Sequence, residues 1–574
     1  MKDGFKGGWR QSMSWLHTWV GLVSALLLYF MFVTGSVGYF NTEVDRWMRQ
    51  ETQAGAGGVL PVQMVQRGLA RLHAVSAGGA KEWYVSLPEG RRRLDLQIYW
   101  QALPGPDGRE AEYKEENLDP ATGQPRVEPR KTGGGNALYR MHWALHYMPE
   151  KVAMYLVGVA TMFMFIALVS GIVVHKKIFK DFFTFRPAKG QRSWLDAHNV
   201  SSVMALPFFL VITYSGLVFY TYEYLPSVKL AVYGSGEQAE RAFSREVYGE
   251  VYAEVARSGT PAPMAPIGPM LAQAEARWVA GSVSGLSIQQ PGDAHARLLI
   301  YQRDPAGSVS RLSETLAFDA VSGRMLDLPA VAPSGPGIFS GVMLALHEGH
   351  FAGPLLRWLY FASGLLGAAM IATGMVLWTT KRRQRLKAGE PAHAGLRFVE
   401  RMNVGSIMGL PIGIAVYFWA NRLIPAELPG REDWEMHALF IAWALALVHA
   451  GLRPVQRAWV EQLATGAALY ALLPLVNAAT ADVHLARTLP GLGTHGDWVL
   501  AGFDLTLLAF GVAFAFASAW AVRTSRRGAA GPKAPDNPAN PQASPAQPAM
   551  HMPSTAESTI AWPANKPDSS WPTP

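Results

Sequence analysis

The chain has no cysteine among its 574 residues. That absence excludes disulfide bonds, thiolate-held zinc or iron–sulfur clusters, thiol catalysis and thioether attachment of haem. No phosphate-binding Gly-Lys-Ser/Thr loop occurs, and no dinucleotide fingerprint joins a strand to a helix, so a nicotinamide or flavin donor would belong to another protein. The segment Leu346-His347-Glu348-Gly349-His350 spaces its histidines by three residues, not the four of a catalytic zinc helix. A redox metal must therefore be held by His, Met or carboxylate groups.

Long apolar runs are abundant, and the net charge of +8 comes from Lys and Arg that gather beside them. This placement indicates membrane topology and no nucleic-acid partner. Eight segments are long and apolar enough to cross a lipid bilayer, at roughly residues 16–40, 151–175, 199–222, 354–379, 403–421, 435–451, 458–479 and 497–522. The first run lacks a cleavage site before Asn41 and is predicted to be a retained anchor.

The basic loops predict the orientation of the chain in the membrane. Lysines and arginines follow the second, fourth and eighth segments, beginning at Lys176, Lys381 and Arg523. These loops are expected in the cytoplasm, together with both chain termini. Residues 41–150 and 223–353 are then extracytoplasmic.

The two outer stretches share one pattern. Each has an amphipathic helix, at 62–74 or 267–278, followed by alternating apolar runs that predict strands. The predicted strands are Trp83–Leu87, Leu94–Trp100, Leu286–Gln289 and Leu298–Gln302. Each stretch then carries a turn of the form Asp-x-x-Thr/Ser-Gly, at Asp119–Gly123 and Asp319–Gly323. A unit of span, small α+β module and span thus occurs twice, and parallel copies predict a pseudo-two-fold axis along the membrane normal.

The fold class is therefore a polytopic α-helical membrane protein of about eight spans, with two small α+β extracytoplasmic modules in a duplicated arrangement. The predicted segments are 1–40 (cytoplasmic start and first span), 41–150 (first module), 151–222 (two spans and a basic loop), 223–353 (second module), 354–385 (fourth span), 386–527 (four-span extension) and 528–574 (tail). The tail is rich in Pro, Ala, Ser and Asn and is expected to be disordered.

Seven of the fifteen histidines lie at the ends of the four core spans. The inner ones are His17, His175 and His198, and the outer ones are His142, His146, His347 and His350. Neutral imidazole is the usual protein ligand of haem iron, and ionisable groups beside membrane spans are often functional. Each core span carries a pair of small residues, namely Thr34-Gly35, Ser170-Gly171, Ser215-Gly216 and Thr373-Gly374. Gly35 and Gly216 lie eighteen residues after His17 and His198, and thus on the same helix face as those histidines. The small pairs indicate close helix packing, room for a porphyrin, or both.

Internal symmetry suggests which histidines face each other. His17 and His198 are expected to hold one iron on the inner side, with His175 as an alternative ligand or a supporting residue. On the outer side Leu145-His146 matches Leu346-His347, so His146 and His347 are expected to hold a second iron. His142 and His350 are alternatives one helical turn away. Two non-covalent haem b groups are the expected cofactors.

With its paired Asp-x-x-Thr/Ser-Gly turns and a histidine-bearing span on each side, the chain resembles the PepSY-associated transmembrane family over about residues 10–385. The better-understood members resemble inner-membrane reductases of ferric siderophores that hold b-type haem. The resemblance implies iron uptake as the setting and a ferric siderophore as the substrate. Residues 403–522 look like an extension of longer members, as does the motif Trp419–Pro425 within it.

Three functions remain open from the sequence. The first is a transmembrane electron carrier that takes electrons from a cytoplasmic or quinol donor and reduces a ferric chelate outside. The second is a non-enzymatic regulatory or binding protein that works through its outer modules. The third is a transporter, although the core spans lack charges at mid-depth. The extension lacks the histidine and small-residue pattern of the core, so it is expected to be dispensable for haem binding.

Overall fold

The computed structural model describes residues 8–49, 51, 59–91, 93–105, 109, 111–126, 130–175, 184–187, 189–248, 250–304, 308–309, 313–328, 335–387, 390–489 and 496–529. The basic residues Lys176, Lys177 and Lys180 fall outside these ranges, as does nearly all of the tail expected at 528–574. The described residues contain helices at all eight positions where the sequence predicts spans.

The first half of the chain alternates long helices with a short strand-rich stretch. Its elements are α1 (Trp9–Gly38), α2 (Asn41–Met48), α3 (Pro61–Val75), β1 (Ala80–Ser86), β2 (Leu96–Ala102), β3 (Tyr113–Leu118), α4 (Gly134–Ala144), α5 (Glu150–Val174), α6 (Gln191–Met204), α7 (Leu206–Phe219), α8 (Thr221–Tyr224), α9 (Pro226–Tyr233), α10 (Glu237–Tyr248) and a 3₁₀ turn at Glu250–Tyr252.

The second half repeats this alternation and then continues as helices alone. Its elements are α11 (Ile267–Arg277), β4 (Val283–Gln289), β5 (Arg297–Gln302), β6 (Thr315–Asp319), α12 (Gly335–Glu348), α13 (Pro354–Arg383), α14 (Ala394–Ile407), α15 (Gly409–Leu423), α16 (Arg431–Leu452), α17 (Val455–Thr480), α18 (Leu485–Thr488) and α19 (Trp498–Ala529).

Among the described residues, seven helical spans are long and apolar enough to cross a membrane, and α14 and α15 together form one of them. An eighth is formed only if α6 and α7 count as one span, since they meet at an angle of 67°. Pro207 lies in the first turn of α7, where its missing N–H and its ring interrupt the helix that begins at Gln191. The single span expected at 199–222 is therefore the second part of a longer, bent pair.

The strands of both outer stretches form one six-stranded sheet in the order β3-β2-β1-β4-β5-β6. All neighbours are antiparallel, and β1 and β4 join the two halves in the centre, with Tyr84 opposite Ser287. Helices α3 and α11 cover one face, where Val85, Ile98 and Ile300 are fully buried. The sequence suggested two separate modules, whereas the structure gives them a common sheet.

The paired Asp-x-x-Thr/Ser-Gly turns close the strand-rich stretches in the same way. Asp119 Oδ1 accepts hydrogen bonds from the main-chain N–H groups of Ala121 and Thr122, and Asp319 Oδ1 does so from Val321 and Ser322. The turns end in glycines with positive φ, 72° at Gly123 and 73° at Gly323. These aspartates are occupied in holding their own turns.

The helices after Arg383 pack directly on the first half of the chain. The Tyr29 hydroxyl of α1 donates to the Ile407 carbonyl of α14 at 2.8 Å, inside a hydrophobic core shared by both regions. A buried polar cluster continues this contact, formed by Trp47, Thr132, Asn421, Arg422, Arg431, Glu435, Asn477 and Asp504. Arg431 and Glu435 in it are 0% exposed and form an ion pair. The extension is thus built into the core.

Candidate functional site

Two histidines from different helices face each other on the side of the bundle where α1 begins. His17 of α1 and His198 of α6 have ring centroids 6.3 Å apart with their planes at 70°. His17 Nδ1 lies 2.8 Å from the Ala167 carbonyl of α5, and His198 Nδ1 lies 2.8 Å from the Met370 carbonyl of α13. The structure therefore brings together the inner pair that internal symmetry predicts.

A second pair lies toward the other end of α1. His142 of α4 and His347 of α12 have ring centroids 6.1 Å apart with their planes at 40°. His142 Nδ1 lies 2.9 Å from the Met31 carbonyl of α1, and His347 Nδ1 lies 2.9 Å from Ser215 Oγ of α7. The partner of His347 is thus His142, and not His146 as the matched Leu-His dipeptides suggested.

Each of the four rings packs closely against a glycine of a neighbouring helix, a contact called here the seat of the ring. A Cβ added to Gly171 or Gly374 would approach Cε1 of His17 or His198 to 3.2 Å. A Cβ on Gly216 would lie 3.2 Å from His347 Cε1, and one on Gly35 only 2.7 Å from His142 Nδ1. Glycine at these positions therefore lets the imidazoles approach closely, and at Gly35 a methyl group would occupy the space that the ring of His142 needs.

The Ser or Thr before each glycine also has a repeated contact. Its hydroxyl donates to main-chain carbonyls three and four residues earlier in its own helix, as Thr34 Oγ1 does to Phe30 at 2.8 Å. The other three residues that do so are Ser170, Ser215 and Thr373. Since the Ser215 hydroxyl proton is used in this way, its oxygen is left to accept from His347 Nδ1.

These contacts fix the tautomer of the rings. A carbonyl oxygen only accepts, so Nδ1 of His17, His198 and His142 must carry the hydrogen. In a neutral imidazole the Nε2 then has a free lone pair, which is the form that binds a metal. Each pair consequently offers two donor nitrogens from opposite halves of the chain.

A cavity of ≈ 260 Å³ adjoins the outer pair. Its wall includes His142, His347, Gly35, Gly216 and His350. The remaining surface is largely apolar or aromatic, with Leu28, Phe32, Tyr39, Tyr139, Trp143, Val157, Met164, Phe208, Phe219, Tyr220 and Tyr224 among the residues that line it. This lining suits a mostly apolar group with a few polar edges.

The other predicted histidines lie near the two pairs but outside them. His146 stacks on Phe440 of α16 with centroids 5.5 Å apart. His350 Nδ1 is 3.2 Å from Glu348 Oε2 at the cavity wall. His175 follows the last residue of α5, one turn beyond Gly171. Within the described ranges, no group of three or more His, Asp or Glu side chains could hold a bare metal ion.

The arginines that flank the histidines have different environments. Arg357 pairs with Glu43 at 2.9 Å, and both side chains are largely buried. Glu43 also pairs with Arg91 from the loop between β1 and β2, so this cluster connects the sheet to α2 and α13. Arg140 pairs with Glu150 near the surface, and Arg192 is exposed. Of the three, Arg357 is the one whose side chain is largely buried.

Comparison with known proteins adds a family to this geometry. The model of the family described as "PepSY-associated TM region" matches residues 14–381, which include all four paired histidines and both strand-rich stretches. An uncharacterized protein of Pseudomonas aeruginosa is 28% identical over 396 residues, covering 65% of this chain and 91% of the relative. Because the family model covers well over half of the chain, this protein belongs to the PepSY-associated TM region family.

Proposed function

We propose that the protein is a haem-containing electron carrier of the bacterial inner membrane that reduces ferric siderophores or similar ferric chelates on the extracytoplasmic side. The observation that carries the proposal is that two pairs of imidazole rings face each other, one pair toward each end of α1. Each ring packs against a glycine, and its Nδ1 is hydrogen-bonded to a neighbouring helix, which leaves its Nε2 free to bind a metal. Haem b, when bound between such imidazoles, supplies reversible one-electron exchange.

The spacing of the rings is compatible with a metal held by both members of a pair. Imidazole nitrogens bind metals at about 2 Å, so two imidazoles that shared one metal would have ring centroids about 6 Å apart. The measured separations are 6.3 Å and 6.1 Å. Among the residues that the structure describes, no group of three or more His, Asp or Glu side chains could hold a bare metal ion, which favours a macrocycle as the source of the remaining ligands.

The two pairs lie on opposite sides of the bundle. His17 and Gly35, the seat of His142, are eighteen residues apart on α1, or about 27 Å at 1.5 Å per residue. This distance along α1 is shorter than the distance between His146 and His175, which would be roughly 44 Å if the twenty-nine residues between them were fully helical. The rings of Phe32 and Phe209 pack edge to face at 5.9 Å between these levels. The residues thus support transfer from one side of the membrane to the other.

Topology gives the proposed direction. The basic residues around Arg383 support a cytoplasmic position for the inner pair of α1 and α6 and for both termini. The six-stranded sheet and the cavity beside His142 and His347 then face outward, where a ferric chelate would arrive. We infer that the two span–module–span halves arose by duplication. The donor is a cytoplasmic reductase or a membrane quinol.

Visible spectroscopy on substituted proteins tests the ligand assignment. His17→Ala or His198→Ala should remove one haem component from the reduced spectrum, and His142→Ala or His347→Ala should remove the other. His146→Ala serves as the matched control, since it removes an imidazole one turn from His142 without touching the pair. A colourless protein from haem-replete cells would overturn the proposal, and a loss caused by His146→Ala instead of His142→Ala would overturn the outer assignment.

Reoxidation in sealed, oriented vesicles tests the reductase activity. After reduction from the cytoplasmic side, a ferric hydroxamate chelate added outside should reoxidise the protein, and the same chelate enclosed inside should not. His347→Ala should abolish the reaction, whereas His146→Ala should retain it. Equal reoxidation from both faces, or none from either, would contradict the outward ferric-reductase proposal.

A further inference from the structure

A second cavity lies on the face of the sheet that α3 and α11 leave open. It measures ≈ 280 Å³ and spans the joint between the two halves, because β1, β2 and β3 meet β4 and β5 there. Small-molecule sites usually measure about 300–1,000 Å³, so this one suits a single arm or a small ligand. Its lining includes Lys81, Glu82, Tyr84, Gln289, Gln290 and Tyr301.

The floor of this cavity is a row of polar side chains across four strands. Strand pairing sets Tyr113 opposite Gln101, Gln101 opposite Glu82, and Glu82 opposite Gln289. Because alternate residues of a strand share a face, this row and Tyr84 lie on the side away from Trp83 and Val85, which are buried under the helices. The sheet therefore holds these groups in fixed register.

Residues 252–255 form the opposite wall and are tied to the sheet. Gln290 Nε2 donates to the Val255 carbonyl at 3.1 Å, and Lys81 Nζ pairs with Glu254 at 3.0 Å. Gln290 adopts a φ of 51°, which is costly for a residue with a side chain and persists only where its surroundings enforce it. The wall is thus held in place by a strained residue at the end of β4.

The lining has more hydrogen-bond acceptors than donors. The bond to Val255 fixes the orientation of the Gln290 amide, and among the described residues no donor reaches its buried Oε1 or the buried Oε1 of Gln289. Gln290 as a whole is only 7% exposed. Two carboxylates and one lysine line the cavity, so its net charge is negative. Buried acceptors without donors are costly, and a ligand with several N–H groups would satisfy them.

We propose that this cavity binds a primary ammonium group carried on an alkyl arm, with Glu82 as its counter-ion and the two glutamine carbonyls as acceptors. An ammonium offers three donors and a positive charge, and the rings of Tyr84 and Tyr301 provide aromatic faces that favour a cation. Burial raises the pKa of Glu82, although hydrogen bonds from the Tyr84 and Tyr113 hydroxyls and the charge of Lys81 oppose the rise, so a bound cation would further stabilise its ionised form.

Such an ammonium could belong to a free diamine or to a ferric chelate with a terminal amine. The choice of a ferric chelate rests on the proposed function. Calorimetry on the full-length protein distinguishes them with three probes: 1,5-diaminopentane, a gallium-loaded linear hydroxamate chelate with a free amine, and the same chelate N-acetylated. Gallium(III) does not accept an electron here, so binding is measured independently of reduction.

The free-amine chelate should bind at least tenfold more tightly than its acetylated form, a difference of about 1.4 kcal/mol or more. Tighter binding of the chelate than of the diamine identifies the chelate as the source, and the reverse identifies the free amine. Either result supports an ammonium site. Equal binding of the free and acetylated chelates, with no binding of the diamine, would overturn it.

Substitutions on one sheet face provide the matched control. Glu82→Gln should weaken binding of the free-amine probes at least tenfold and leave the acetylated chelate unchanged. Glu115→Gln removes an exposed carboxylate from the same face but outside the cavity, and should change affinity less than twofold. If the two substitutions weakened binding equally, the probes would be attracted by the general charge of the surface and not by this cavity, which would contradict the proposal.

Discussion

At the scale of single residues, the glycines of the small pairs are the most specific feature. Gly35→Ala would place a methyl group 2.7 Å from His142 Nδ1, against a ring held by the Met31 carbonyl. Overpacking of this kind costs about 1–3 kcal/mol, so occupancy of the outer site should fall by roughly tenfold or more. Gly21→Ala on the same helix meets nothing within 4 Å and should have no effect. Quantified haem per protein is the measurement, and equal losses in both variants would refute the seating role.

The inner site was predictable at residue scale and the outer one only in part. His17 and His198 follow the same Ser-Trp-Leu motif, so their pairing could be derived from the sequence. On the outer side α4 ends at Ala144, and Leu145 and Tyr147 adopt positive φ. No residue type signals this reversal, which turns His146 away. The sequence also predicted that a histidine and a glycine of the same helix share a face. In the structure each ring instead packs against a glycine that belongs to a different helix from its own.

At the scale of elements, the segment that walls the second cavity depends on Asp293. Its carboxylate accepts from the main chain of Ser258, Gly259 and His295 and from the Ser258 hydroxyl. Burial would raise the pKa of Asp293, but these donors outweigh it and hold the pKa well below its usual range.

A depressed folded-state pKa means that this stabilisation is complete above the ordinary value of 3.8 and is lost as the pH falls below it. Asp293→Asn should therefore lower the Tm near neutral pH, and its difference from the native protein should shrink at about pH 3. Asp327→Asn, at an exposed position, is the control. Thermal unfolding followed by fluorescence measures both, and a difference that grows on acidification would contradict the assignment.

Spans and strands differed in how far the sequence could predict them. Apolar length predicted a helix at every span position, but the bend between α6 and α7 depends on Pro207, whose effect varies with tertiary context. The third strand of each half was not predicted. In β3, Tyr113–Leu118, charged residues replace the usual alternation because the strand lies at the sheet edge. The joining of β1 to β4 has no local signal at all.

At the scale of the whole molecule, the extension is expected to support the outer site. Thr132, just before α4, donates to Glu435 of α16, and Arg431 donates to the Lys131 carbonyl at 2.9 Å. Arg422 stacks on Trp47 of α2 at 3.7 Å. These contacts argue against the sequence-based expectation that residues 403–522 are dispensable, because they fix the entry to the helix that carries His142.

Glu435→Gln tests this support. It leaves the buried Arg431 without its counter-charge, and breaking a buried pair from one side costs about 3–5 kcal/mol. The variant should unfold at a lower temperature and lose the outer haem component before the inner one. Glu461→Gln breaks the more exposed pair with Arg453 in the same extension, which water screens, and should change neither the unfolding temperature nor the haem content appreciably. If both variants keep full outer occupancy, the extension does not act on His142.

The seating of the rings has a further consequence in terms of oligomer symmetry. His17 and His142 are seated within the first half of the chain, on α5 and α1, and His198 and His347 within the second, on α13 and α7. Each half therefore provides both the imidazoles and the glycines against which they pack, but it supplies only one imidazole to each facing pair. Such a contact between equivalent surfaces is isologous, the kind that closes a two-fold dimer. A single half of this chain would complete its ligand pairs by associating with a second copy of itself.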